Sequence, residues 1–202
     1  MRVYNSNQIR NVAVLSHGGA GKTSLVEAML FDAGHTNRLG KTDDGTTVTD
    51  YLPVEIKRKV TVSTTLAPTE WKDCKINLLD SPGYADFVGE VKSAMRAADS
   101  MVMVVDGVAG IEVRTEVLWE SADEEQMPRL VFVNKLDREN ASFSKTLEAL
   151  RERFGTGAVP MTLPIGAEDK FSGVVDVLQK KAYQFDGNKV SEIPVPADLA
   201  AE

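Results

Sequence analysis

Cysteine is nearly absent: Cys74 is the only one in 202 residues. A disulfide framework and a cysteine-rich zinc site are both excluded, and a reducing, cytoplasmic setting is the expectation. Histidine is almost as scarce, with His17 and His35 the only two, too few for a histidine-based metal centre. Long apolar runs are missing as well. The longest near the N-terminus, Val12 to Leu15, falls far short of a signal peptide or a membrane span. There is no internal repeat and no low-complexity segment. Positive charge is in deficit, with 23 Lys and Arg against 30 Asp and Glu, a net charge of −7. That balance argues against a broad nucleic-acid-binding face, DNA included, while leaving room for a local basic patch.

What is present is an ordinary globular composition, 43% hydrophobic and 26% charged. Strand-like and helix-like runs alternate. Ile9 to Leu15 is apolar and β-branched, a glycine-rich loop follows, and Ser24 to Phe31 reads as a helix. Lys75 to Leu79, Met101 to Val105 and Leu130 to Val133 read as buried strands, ending on Asp80, Asp106 and Asn134. Ala85 to Ala97, Glu112 to Gln126 and Ser142 to Phe154 read as helices. The alternation predicts an α/β fold, a parallel sheet with helices on both faces, whose ligands bind at the carboxyl ends of the strands. Gly34 to Thr49 is polar and aperiodic, a long loop of the functional or mobile kind. After about Val159, prolines and glycines punctuate short segments and predict a separate, smaller unit.

Three motifs carry chemistry. Ser16 to Thr23 fits the phosphate-loop pattern G-x-x-x-x-G-K-[ST], with serine in the first position. Its glycines let backbone N–H groups turn inward on phosphate oxygens, and the next helix adds its positive end. The candidate ligand-binding residues are His17, Gly18, Gly19, Ala20, Gly21, Lys22, Thr23 and Ser24. Lys22 is expected on the β- and γ-phosphates and Thr23 on Mg²⁺. Asp80, at a strand end in Asp80-Ser81-Pro82-Gly83, is the expected magnesium-side carboxylate, and Gly83 can offer an N–H to a γ-phosphate. Asn134-Lys135-Leu136-Asp137 forms the third motif. Guanine carries N1–H and N2–H₂ donors, and Asp137 can accept from both. The stem of Lys135 can lie on the base, and Asn134 can bond its edge. Together the motifs imply GTP or GDP with Mg²⁺ and speak against a P-loop kinase that prefers ATP.

With these residues in view, the chain resembles the translational GTPases of the elongation factor G family. Lys57 to Val62 is similar to that family's first switch, R-G-I-T-I. Asp80 to Phe87 is similar to D-T-P-G-H-x-D-F, and Val131 to Arg138 matches its guanine strand and loop. Pro164 to Glu168 and Gly173 to Asp176 are similar to the start of the subdomain inserted in this family's G domain. The resemblance implies a Ras-like P-loop G domain over residues 1–158 and the beginning of the inserted subdomain over 159–202. It also implies that Thr61 closes on Mg²⁺ and the γ-phosphate, that Lys22, Thr61, Gly83 and position 84 serve hydrolysis, and that the ribosome is the partner of a monomer. Lys57 to Lys59 is either a meeting point with ribosomal RNA or a solvated face.

The chain departs from the family where water is handled. Gly19 stands in place of an aspartate that helps hold a cation. Gly18 stands where an apolar residue shields the catalytic water, and Tyr84 replaces the histidine that orients it. A phenol can hydrogen-bond water but cannot become a cation near pH 7 as imidazolium can. Slow or atypical GTP hydrolysis is the expectation, within a divergent subgroup. The alternative is a ribosome-associated GTP-binding regulatory factor with little intrinsic hydrolysis. The family's Ser-Ala guanine loop has no counterpart after Phe171. The sequence therefore reads as an N-terminal fragment, with exposed apolar surface and weak nucleotide affinity expected. Met95, Met101, Met103, Trp71 and Trp119 read as packing residues, Cys74 as inert, and His35 as solvent-facing.

Overall fold

A computed structural model describes residues 2–187 and 189–199. The chain forms two compact units, one of Met1–Val105 with Glu112–Phe132, the other of Asp106–Ile111 with Val133–Glu202. The elements of the first are β1 (Ile9–Leu15), α1 (Lys22–Asp32), α2 (Pro53–Arg58), β2 (Thr65–Trp71), β3 (Cys74–Asp80), α3 (Val88–Ala97), β4 (Ser100–Asp106), α4 (Val113–Glu124) and β5 (Arg129–Asn134), the last residues of β4 and β5 passing into the second unit. The strand order is β2-β3-β1-β4-β5. β1 runs parallel to β3 and β4, and β2 runs antiparallel to β3. The sheet is thus mixed and mostly parallel.

The period of two along the strands explains why helices cover both faces. Ala13 and Leu15 of β1, with Met101, Met103 and Val105 of β4, pack with Val91, Ala94 and Met95 of α3 and Leu118 and Ala122 of α4. The intervening Val14 and Val104 pack with Val26 and Leu30 of α1. Met95, Met101 and Met103 are core residues as expected, and Trp119 packs against the first cluster.

Four features depart from the sequence reading. β5 is not a buried strand: it lies at the sheet edge, with Leu130 55% and Phe132 41% exposed. β2 and α2 were not legible in it. Residues 85–97 are not one helix, because Ala85–Phe87 is a 3₁₀ turn and α3 starts only at Val88. Trp71, at the hairpin end of β2, is 47% exposed beside Lys72 rather than packed.

The second unit carries α5 (Phe143–Phe154) and four strands, β6 (Thr162–Ile165), β7 (Gly173–Asp176), β8 (Lys181–Asp186) and β9 (Lys189–Ile193). Ser142 caps α5, accepting from Lys145 N–H at 3.3 Å, and Gly155 ends it in a positive-φ conformation. The four strands form an antiparallel meander in chain order. Buried Val175 and Ala182 and an edge-on Phe171–Phe185 pair fill it. Among the described residues no helix is long and apolar enough to cross a membrane.

Candidate functional site

Register assembles the phosphate-loop group of the first unit. Parallel pairing sets Val14 of β1 opposite Asp80 of β3. The loop leaving β1 and the carboxylate ending β3 therefore emerge at the same sheet edge. That loop runs from Ser16 to Gly21. Gly19 (φ +80°) and Gly21 (φ +97°) take conformations that a side chain would strain, and the chain then enters α1 directly at Lys22.

Lys22 is buried, and its Nζ donates to Ser16 Oγ at 3.1 Å and to the His17 carbonyl at 3.2 Å. Burial pushes its pKa down to about 8, with Asp80 and Asp50 pulling the other way. The ammonium is thus curled back on its own loop, in a setting that favours an added negative charge. Gly83 presses on it: a Cβ built there would lie 2.5 Å from Lys22 Nζ, 2.7 Å from the His17 carbonyl and 2.8 Å from Gly18 Cα. Only glycine fits. Tyr84 follows, 46% exposed. His17 is buried, with Nε2 3.5 Å from a Glu112 carboxylate oxygen. Ala20 is buried, whereas Gly19 and Ser24 face solvent.

Hydroxyls and carboxylates gather beside Lys22. The Thr23 and Thr61 hydroxyls lie 3.2 Å apart. Thr49 donates its hydroxyl to Asp80 Oδ2 at 2.7 Å. Asp80 is fully buried, and burial raises its pKa to about 6 despite the Thr49 and Thr23 hydroxyls and Lys22. Asp50 is raised as well, by burial first. Asp80 Oδ1 and Asp50 Oδ1 are both buried and accept no hydrogen bond. Two uncommitted carboxylate oxygens next to two hydroxyls make an all-oxygen set suited to a small hard cation. Among the described residues no three His, Cys, Asp or Glu side chains group as a metal site. Mg²⁺ does not require such a group, because it keeps waters and takes phosphate oxygens. Thr23, Thr61 and Asp80 are thus brought together.

Thr49, Asp50, Glu55 and Arg114 had no signal in the sequence. Glu55 is fully buried, and its two oxygens accept N–H from Leu52, Val62 and Ser63 at 3.1, 3.0 and 3.2 Å. One carboxylate therefore fixes both flanks of the segment that carries Thr61. Arg114 keeps two buried guanidinium nitrogens without partners and depresses Lys22 further. The long loop is pinned by Glu27, which accepts from Val48 N–H. Lys57, Arg58 and Lys59 are exposed, with Lys59 3.8 Å from Asp43.

The second unit holds the Asn134–Asp137 motif. Lys135 takes positive φ (+61°), turning the chain as it leaves β5. Its Nζ donates to Asp106 Oδ2 at 2.7 Å, while Val108 and Ala109 N–H donate to Asp106 Oδ1 at 2.9 and 3.2 Å. Burial pushes Asp106 up, but Lys135 and the two N–H groups outweigh it and hold the carboxyl below its ordinary value. Gly107 N–H donates to the Asn134 carbonyl at 2.8 Å. Glu168 braces the motif from the other side: its N–H reaches the Leu136 carbonyl at 3.0 Å, and its carboxylate accepts from Asn140 N–H at 2.8 Å. Asp137 stands exposed.

Comparison with known proteins agrees with this chemistry. The family model for the elongation factor Tu GTP binding domain matches residues 7–200. Elongation factor G of Mycoplasma genitalium is 39% identical over 198 residues, 96% of this chain and 29% of the relative. Elongation factor G of Granulibacter bethesdensis is 41% identical over 197 residues, 96% of this chain and 28% of the relative. A crystal structure from Thermus thermophilus superposes with a TM-score of 0.91 at 39% identity, over 96% of this chain and 29% of that one. The chain spans less than a third of the length of these relatives. By the domain match and the identities alike, the chain belongs to the elongation factor Tu GTP binding domain family of translational GTPases, with its similarity running to elongation factor G.

Proposed function

We propose that this chain is the GTP-binding and GTP-hydrolysing switch of an elongation factor G-like factor that acts on the ribosome in a translocation-type step. The observation that carries the reading is the buried group of Lys22, Thr23, Asp50, Thr61 and Asp80, with one oxygen of each carboxylate left uncommitted. His17 to Ser24 hold the phosphates through backbone N–H groups and Lys22. Asn134, Lys135 and Asp137 hold guanine. Thr23, Thr61 and Asp80 hold Mg²⁺, with Asp50 beside them. Bound there, Mg²⁺ neutralises charge on the β- and γ-phosphate oxygens. Thr61 and Gly83 sense the γ-phosphate and release on its loss. Tyr84 positions the attacking water as a neutral hydrogen-bonding group.

The factor works as a monomer in the cytoplasm, with the ribosome and not DNA or a membrane as its partner. Lys57, Arg58 and Lys59 are its local RNA-facing charges. Residues 1–158 form the G domain, and 159–202 begin its inserted subdomain. Tyr84 and Gly19 favour a second reading, a GTP-responsive ribosome-associated regulator with little hydrolysis of its own. Calorimetric titration with GTP, GDP and ATP in Mg²⁺, followed by turnover with and without ribosomes, tests both. Guanine selectivity with ribosome-stimulated turnover supports the first reading, and guanine selectivity with no stimulation supports the second. ATP binding as tight as GTP binding overturns both.

A further inference from the structure

Gly18 is glycine for a reason its own backbone does not supply. Unlike Gly19 and Gly21, its φ lies outside the left-handed region, so any residue could adopt it. The constraint comes from one neighbour. A Cβ built on Gly18 would sit 2.9 Å from Cζ of Tyr84, and 3.0 and 3.1 Å from its two Cε atoms. Those distances are below ordinary carbon–carbon contact. The phenol ring rests against the main chain of the phosphate loop, and only a missing side chain allows it. Gly83, the residue before Tyr84, is held against the same stretch, its would-be Cβ meeting Lys22 Nζ, the His17 carbonyl and Gly18 Cα. Two side-chain-free positions, one on each loop, thus seat Tyr84 over residues 17–18.

We infer that Gly18 is the positioning residue for Tyr84: its bare main chain is the seat that fixes the phenol over the phosphate loop, so positions 18 and 84 act as one functional unit. The functional part rests on the reading of Tyr84 as the water-positioning group. Tyr84 is 46% exposed, so a side chain at position 18 can push its ring toward solvent without disrupting the core. Displacing a positioning group by about 1 Å costs on the order of 100-fold in rate, with no comparable loss of nucleotide binding.

The test uses Gly18→Ala, Tyr84→Ala and the double variant in the 202-residue chain, with two readouts. The first is the NMR shift of the Gly18 Hα protons in isotopically labelled chain. A ring against the Cα moves them upfield, and Tyr84→Ala must abolish that shift. Unmoved Hα resonances in Tyr84→Ala overturn the seat itself. The second is single-turnover GTP hydrolysis with Mg²⁺. Gly18→Ala is expected to slow it at saturating GTP by about 10- to 100-fold, and to change nothing further in the Tyr84→Ala background. An equal loss in both backgrounds overturns the inference, since Gly18 then acts through the phosphate loop alone. A Tyr84→Ala chain that hydrolyses GTP as fast as the unaltered chain overturns the water-positioning reading of Tyr84. The seat is then judged by the Hα shift alone.

Discussion

Glu55 offers the sharpest way to loosen the segment around Thr61 without touching the phosphate loop. Its side chain is fully buried and accepts N–H from Leu52, Val62 and Ser63. Glu55→Ala removes three hydrogen bonds and leaves three donors to find water. At a net ~1–1.5 kcal/mol per bond, the loss is about 3–4.5 kcal/mol. At about 1.4 kcal/mol per decade, that is roughly 10²- to 10³-fold in the local opening equilibrium. Residues 52–63 hold only α2 in regular structure, so the segment can open on its own and the cost should appear locally. Native-state hydrogen exchange reads it. Amides of Leu52, Val62 and Ser63 should exchange faster by about the factor just given, while those of β1 and β3 keep their protection. Glu55→Gln should fall between, because its amide oxygen can still accept from Val62 and Ser63 while its NH₂ meets the Leu52 donor. Unchanged exchange at Val62 and Ser63 in Glu55→Ala would refute the reasoning. So would a loss spread evenly over the core strands, which would make Glu55 a general stability residue and not the fastening of this segment.

Three further outcomes are expected. On the proposed reading of Asp137 as the acceptor for guanine N1–H and N2–H₂, Asp137→Asn adds a donor there, so competition binding should show preference moving from guanine toward xanthine nucleotides. Asp80 titrates at about 6 when folded against an ordinary 3.8, so the fold favours its protonated form. The cost, about 3 kcal/mol at about 1.36 kcal/mol per unit, is fully present above pH 6 and fades as pH falls from 6 toward 3.8. Without Mg²⁺, Asp80→Asn should therefore raise the urea midpoint at pH 7, flatten its pH dependence between about 4 and 7, and weaken the Mg²⁺ dependence of GTP binding. Gly40→Ala puts a methyl 2.7 Å from the Thr46 carbonyl and 2.9 Å from Thr47 Cα, against Glu27 as well. Overpacking of that kind costs about 1–3 kcal/mol, measurable as a lowered melting temperature.

The parts of this molecule legible in its sequence are those where the signal is local. β4 announces itself because a strand buried on both faces needs an unbroken apolar run; β1, β3 and β5 show shorter apolar runs, and β3, β4 and β5 end on the polar residues Asp80, Asp106 and Asn134. β2 escapes for the opposite reason. It is an edge strand carrying Pro68, tolerable only there, and only Ala67 and Thr69 of its seven residues are buried. The same divide runs through the candidate residues of both units. Lys22, Thr23, Asp80, Asn134 and Asp137 stand in motifs whose spacing encodes their chemistry. Thr49 and Asp50 lie in or beside the aperiodic Gly34–Thr49 loop, and nothing in their neighbours marks them. They become buried partners of Asp80 and Lys22 in the folded chain, where Glu27 pins the loop at Val48. Gly18 and Tyr84 fall between these cases. Each is visible in the sequence as a separate departure, and each alone reads as a loss. The ring of one occupies the space that the missing side chain of the other leaves open. Two residues far apart along the chain are thus a single steric solution, and altering either should be judged against the other.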